Sequence, residues 1–207
     1  KKMLAANRDI MIRTLLLVFS FGFFINQSAQ FGDVVLAANH ILLQLISFAA
    51  FFLDGYAFVV ESLVGSSVGA RRRDSFDIVV KRSSILALVT ATALALLLLV
   101  FGDLAVAVLT DLEPVQTAAQ GSLFLAAIYI FFSFAAFQLD GVFIGASFTR
   151  QMRNAAILSI AVFLAAWWIL MDRFGVNGLW WAMIIYVAAR ADALLLFYPA
   201  LRKSIDH

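Results

Sequence analysis

Within the long apolar stretches of this sequence the informative ionisable side chains are His40, Asp54, Glu61, Asp140, Arg190 and Asp192. An acid among aliphatic residues can bind a cation or exchange a proton. A charged side chain at a bilayer centre costs about 2.5–3.5 kcal/mol on insertion scales, so Asp54, Glu61 and Asp140 left bare would cost roughly 7–10 kcal/mol together. Such a cost demands neutralisation, pairing or water.

Helical spacing groups these residues. A seven-residue step is nearly two turns and returns to the same face with about 20° of drift. His40, Ser47, Asp54 and Glu61 therefore form one stripe, and Ser133, Asp140 and Ser147 form another, with Tyr129 nearby. Polar stripes on apolar helices are expected to face the interior of a bundle. Asn26 and Gln30, one turn apart, share a face near one end of the first apolar run, with Gln27 adjacent. They join Asp140, Asp54 and Glu61 as candidate substrate- or cation-binding residues, and His40 is a candidate proton relay.

Two readings of the stripes stand open. In one, Asp54 and Asp140 bond to hydroxyls or to Arg190 as interhelical glue, worth about 0.6 kcal/mol per contact in membranes. In the other, the acids line a wet cavity and bind a cation or proton. Arg190 and Asp192 are two residues apart and do not face each other on a helix. Arg190 is expected to snorkel toward the headgroups.

The elements that must position these groups follow from composition. The 207 residues are 64% hydrophobic and 14% charged with a mean hydropathy of +0.98, against about 45–50% apolar and about 25% charged in a soluble domain. A helix crossing a hydrocarbon core of about 30 Å needs about 20 residues, and a backbone in lipid must satisfy its own hydrogen bonds. The expectation is an all-α integral membrane protein, one domain over residues 1–207, with six helices at roughly 10–29, 34–63, 84–101, 118–146, 155–171 and 178–200.

Charge alternates at the breaks. Lys1, Lys2 and Arg8 precede the first run, Arg71, Arg72, Arg73, Lys81 and Arg82 follow the second, Arg150 and Arg153 the fourth, and Arg202 and Lys203 the sixth. The intervening breaks are mainly acidic, with Asp33, then Asp103, Asp111 and Glu113, then Asp172 beside Arg173. The positive-inside rule then places both termini in the cytoplasm, which an even number of spans also requires. Leu53-Asp54-Gly55 recurs as Leu139-Asp140-Gly141, each shortly before a basic break, so two helices of equal orientation carry an acid at similar depth.

Other classes find no support. There are no cysteines, and hence no disulfide framework or thiolate metal site. There is no nucleophile elbow, zincin motif or P-loop, and His40 and His207 are the only histidines, so neither catalysis nor a cofactor or metal is expected. A net charge of +2 gives no reason to expect nucleic acid. The apolar run from Ile10 outlasts a signal peptide, so the chain is expected to begin inside a longer one.

The stretch Asp33-Val34-Val35-Leu36-Ala37-Ala38-Asn39, then Phe51-Phe52-Leu53-Asp54-Gly55-Tyr56-Ala57-Phe58, with Glu61, Gly65 and Gly69 on the way out, resembles the multidrug and toxic compound extrusion (MATE) family. It is most similar to that family's DinF-like branch. Phe137-Gln138-Leu139-Asp140-Gly141-Val142-Phe143-Ile144-Gly145-Ala146, followed by Thr149-Arg150-Gln151-Met152-Arg153-Asn154, resembles the branch's tenth transmembrane helix and its exit. The resemblance covers essentially the whole chain and implies the C-terminal six-helix lobe of a twelve-helix antiporter in the inner membrane. Such proteins export organic cations or lipophilic compounds against protons or sodium. By this resemblance Asp140 is the acid that takes part in cation or substrate binding.

The departure from the family pattern is the missing N-terminal lobe, which would then be the expected partner, alongside membrane lipids and a small-molecule substrate. The alternatives are a lipid-linked precursor flippase of the same superfamily and a non-transporting lobe acting as an assembly partner. Flippases of this kind usually have cationic cavities, and the acids here outnumber the single arginine counted inside the spans, Arg190.

Overall fold

The computed structural model describes residues 2–205; Lys1, counted above with the basic flank, and His207 lie outside the described residues. Seven helices account for nearly all of them: α1 Lys2–Ser28, α2 Asp33–Gly69, α3 Arg73–Leu109, α4 Glu113–Gln120, α5 Leu123–Gly145, α6 Thr149–Phe174 and α7 Val176–Ser204. Six are long and apolar enough to cross a membrane, α4 being the exception. No strand occurs among the described residues.

The helices outrun the apolar stretches that signal them. Helix α3 holds 37 residues, about 55 Å at 1.5 Å per residue, although its apolar run covers only residues 84–101. Lys81, Arg82 and Asp103 lie exposed on its surface, where headgroups and water solvate them, and neither proline nor a glycine pair interrupts the ladder. The fourth run, expected as one helix over 118–146, is instead broken at Gly121–Ser122 into α4 and α5. Pro114 in the first turn of α4 and the acid at Glu113 suit a helix start, and the short helix tucks Val115 and Ala119 onto the bundle.

Helices α5 and α7 form the centre. Helix α5 packs against α2, α3 and α7, while α7 also runs along α6. Their side chains supply much of the buried core, including Phe143, Trp180, Tyr186 and Met183, to which α1 adds Phe24 and α6 adds Phe163. The α2–α5 contact is as close as glycine permits. A β-carbon built on Gly141 would overlap the Ala57 carbonyl oxygen, and one on Gly145 would overlap that of Glu61. The small-residue spacing Gly141-x-x-x-Gly145 thus lets two backbones touch.

At the other end of these helices a buried polar clasp joins three of them. Asn39 on α2 donates to Ser28 Oγ on α1 (2.8 Å) and accepts from Trp180 Nε1 on α7 (3.0 Å). Ser28 in turn donates to the Phe24 carbonyl at 2.8 Å. Every polar group in the clasp is satisfied, which the low dielectric of a membrane interior demands. Outside the core, Phe51, Val100, Trp168 and Leu196 are more than 70% exposed, an apolar surface suited to lipid or to another helical body.

Candidate functional site

Asp140 lies one residue before Gly141, so the close α2–α5 crossing sets its height. Its Oδ2 accepts from Nη2 of Arg190 on α7 and from Nη2 of Arg13 on α1. The exposures of the Asp140 and Arg190 side chains are only 6% and 4%, and that of Arg13 is 17%. The snorkelling expected of Arg190 does not occur. Its helix turns it onto α5, where a carboxylate and the ring of Phe137, 6.0 Å from the guanidinium carbon, replace the water it would otherwise seek. A buried charge is tolerated when paired and hydrogen-bonded, and both conditions hold.

Arg13 is the residue that sequence reasoning missed. It falls inside the first apolar run, yet belongs neither to the flank of Lys1, Lys2 and Arg8 nor to the six ionisable residues singled out within the runs. The signal was present in the same seven-residue step that marked α2 and α5. Arg13, Ser20 and Gln27 lie on one face of α1, and Ser20 and Gln27 are buried.

Asp54 reaches the same region from α2. It is half-buried, makes no ion pair among the described residues, and lines a cavity of about 240 Å³ with Phe21, Ser47, Tyr129, Ser133 and Phe137. Ligand pockets usually measure about 300–1,000 Å³, so this hollow has the size of one wall of a site. Counted formally, Arg13 and Arg190 balance Asp54 and Asp140.

The stripe on α2 faces the open, cavity side of the bundle rather than its packed interior. His40 and Ser47 are exposed and Asp54 and Glu61 partly so. Helix α2 spends its inward face on Ala38, Leu42, Ile46, Ala49, Leu53, Ala57, Val60 and Val64, which leaves the polar stripe on the open side of the bundle. On α5, Tyr129, Ser133 and Asp140 are buried and Ser147, just past the helix, is exposed.

The other candidates stand apart. Asn26 and Gln30 are exposed and linked through Gln27, which donates to Asn26 Oδ1 (3.3 Å) and accepts from Gln30 Nε2 (2.8 Å). Asn26 is thirteen residues along α1 from Arg13, roughly 20 Å by helix rise. His40 is a similar distance along α2 from Asp54, and Glu61 about 10 Å beyond Asp54 in the other direction. Asp192 is exposed. The structure therefore gathers Asp54, Asp140, Arg13 and Arg190 into one place and leaves His40, Asn26 and Gln30 outside it.

Residues 10–168 match the family model described as MatE. That span covers more than half the chain and includes Arg13, Asp54 and Asp140. The chain belongs to the MatE family.

Members of the MatE family are transporters, which accords with a site of charges and aromatic rings. The chain is 33% identical over 198 residues to DNA damage-inducible protein F of Escherichia coli (strain K12), covering 94% of this chain and 42% of that protein. It is 27% identical over 179 residues to the probable multidrug resistance protein NorM of Photorhabdus laumondii, covering 82% of this chain and 39% of the other. The Vibrio cholerae MATE transporter VcmN in its bent form superposes with a TM-score of 0.86 at 18% identity, over 96% of this chain and 45% of that one. The chain thus spans less than half the length of these relatives, and its six membrane helices amount to a single MatE lobe.

Proposed function

We propose that this chain is the C-terminal lobe of an ion-coupled antiporter that exports organic cations or lipophilic compounds. A complementary N-terminal lobe, on the same polypeptide or another chain, closes the cavity. Both termini lie in the cytoplasm and the bilayer is the inner membrane. The carrying observation is the placement of Asp54 on an open cavity wall, beside Asp140 held by Arg13 and Arg190.

The chemistry follows from that placement. A flat lipophilic cation entering the hollow meets the rings of Phe21, Tyr129 and Phe137, whose faces attract positive charge, and the Asp54 carboxylate at one end. A proton or sodium ion arriving at Asp140 competes with two guanidinium groups for the same oxygen. Ion and substrate therefore act on one network of four charges, and loading one alters the field felt by the other. Alternating access, with one lobe rocking against the other about a midplane site, converts that competition into exchange.

The second arginine on Asp140 supports another reading, a flippase for an anionic lipid-linked precursor, because Arg13 doubles the cationic charge counted from the sequence. Dye efflux from cells expressing the transporter separates the two. Asp140→Asn is expected to reduce efflux of a cationic dye at least tenfold with membrane abundance unchanged. Full efflux by that variant sinks the antiporter assignment of Asp140.

A further inference from the structure

Arg13 and Arg190 both reach Oδ2 of Asp140, yet they are held differently. Arg190 stands on α7, packed along α5 and α6, with its side chain 4% exposed and its guanidinium near Phe137. Arg13 stands on α1, which leans chiefly on α6 and scarcely approaches α5 except through this ion pair. Its side chain is 17% exposed, and its Nε is buried with no acceptor. One arginine is set in the core and the other stretches to it.

The surroundings of Asp140 are few. From α2 comes Asp54; from α1, Arg13; from α7, Arg190, with Tyr186 and Tyr129 behind it. Helix α3 meets α5 with the neutral Ser83, which accepts from Gln138, and Arg153 of α6 is occupied by Asp9 of α1 at 2.9 Å. Two guanidinium cations can share one oxygen while the carboxylate is ionised. Once it is neutralised, their mutual repulsion in a low dielectric has nothing to oppose it.

We propose that Arg13 is the releasable tether of α1. When a proton, a metal cation or a cationic substrate neutralises Asp140, Arg13 lets go while Arg190 stays. The lower half of α1 then moves away from α5. The clasp of Ser28, Asn39 and Trp180 holds the opposite end of α1, so the motion is a pivot about that end. Phe21, eight residues beyond Arg13, lines the cavity, and the pivot carries that wall with it. Arg13 is thus a positioning residue, and the inference rests on reading the site as an exporter's ion and substrate site.

The test reads distance rather than transport. The sequence has no cysteine. Asn7→Cys on α1 and Ser66→Cys near the end of α2, both exposed positions, therefore take spin labels cleanly in the protein reconstituted in lipid. Asp140→Asn and Arg13→Gln should each lengthen and broaden the Asn7–Ser66 separation, their combination should add nothing, and Arg13→Lys should keep it short. The parent protein, acidified or loaded with sodium, should lengthen in at least one condition without any substitution. Unchanged distances in both conditions overturn the tether. So does an Arg13→Lys variant that behaves like Arg13→Gln, or an Arg190→Gln variant that releases α1 while Arg13 is intact. A parent protein that shows these distance shifts yet moves no cationic dye would count against the exporter reading and leave the tether standing.

Discussion

Arg190 and Asp140, fifty residues apart in sequence, meet inside the bundle where α7 crosses α5. Removing one partner of a buried pair costs about 3–5 kcal/mol when the other charge is left alone, and here Asp140 would keep Arg13, so the cost should lie at the lower end of that range. Arg190→Met should therefore lower the thermal midpoint of the purified protein substantially. Arg190→Lys keeps the charge but loses the planar fork, and should fall between. Thermal unfolding followed by intrinsic fluorescence makes the comparison.

The α2–α5 crossing predicts a second contrast. Gly145→Ala forces a methyl into the Glu61 carbonyl and should destabilise by about 1–3 kcal/mol through overpacking. A β-carbon on Gly22, in the middle of α1, meets nothing within 4 Å. Gly22→Ala should accordingly be neutral or stabilise by up to about 1 kcal/mol. Equal effects of the two substitutions would mean that the helices are not in backbone contact.

The clasp should behave as a unit. Asn39→Ala strands the Trp180 indole N–H and removes the donor to Ser28 Oγ, and leaving a buried polar group unmade costs about 1–3 kcal/mol. Trp180→Phe removes one of the same bonds. The double variant should lose less than the sum of the two single variants, a coupling that a double-mutant cycle reads from unfolding midpoints.

Much of this architecture was legible in the amino-acid order, for a physical reason. A run of apolar residues long enough to span lipid has almost no alternative to a helix, so the six-helix bundle follows from hydropathy. The split at Gly121–Ser122 was hidden because α4 and α5 are similarly free of charge at their junction, and hydropathy does not register a bend. A seven-residue step correctly grouped His40, Ser47, Asp54 and Glu61 on one face, but periodicity cannot say toward which side that face turns. Only the packing of Leu42, Leu53 and Val60 against α5 and α3 decides that. The pairing of Arg190 with Asp140 was one of the two readings the sequence left open, and only a contact between helices, not a local pattern, decides it against snorkelling. Arg13 falls inside the first run but in neither group of charges, although its stripe with Ser20 and Gln27 is there to be read.

Neutralising Asp54 separates a cavity wall from a structural acid. Asp54 makes no ion pair among the described residues and is only half-buried, so Asp54→Asn should leave the unfolding midpoint within about 0.5 kcal/mol of the parent, as surface-like substitutions do. Its effect should appear as weakened binding of a cationic dye, read by fluorescence titration in detergent.

Coupling of an ion to a substrate by these four charges is read out by gradient-driven flux in proteoliposomes carrying the complete transporter. Dye should move only when a proton or sodium gradient is imposed, severalfold more slowly with Asp54→Asn and not at all with Asp140→Asn in protein that remains folded. Dye movement that ignores both the gradient and the two aspartates would contradict it.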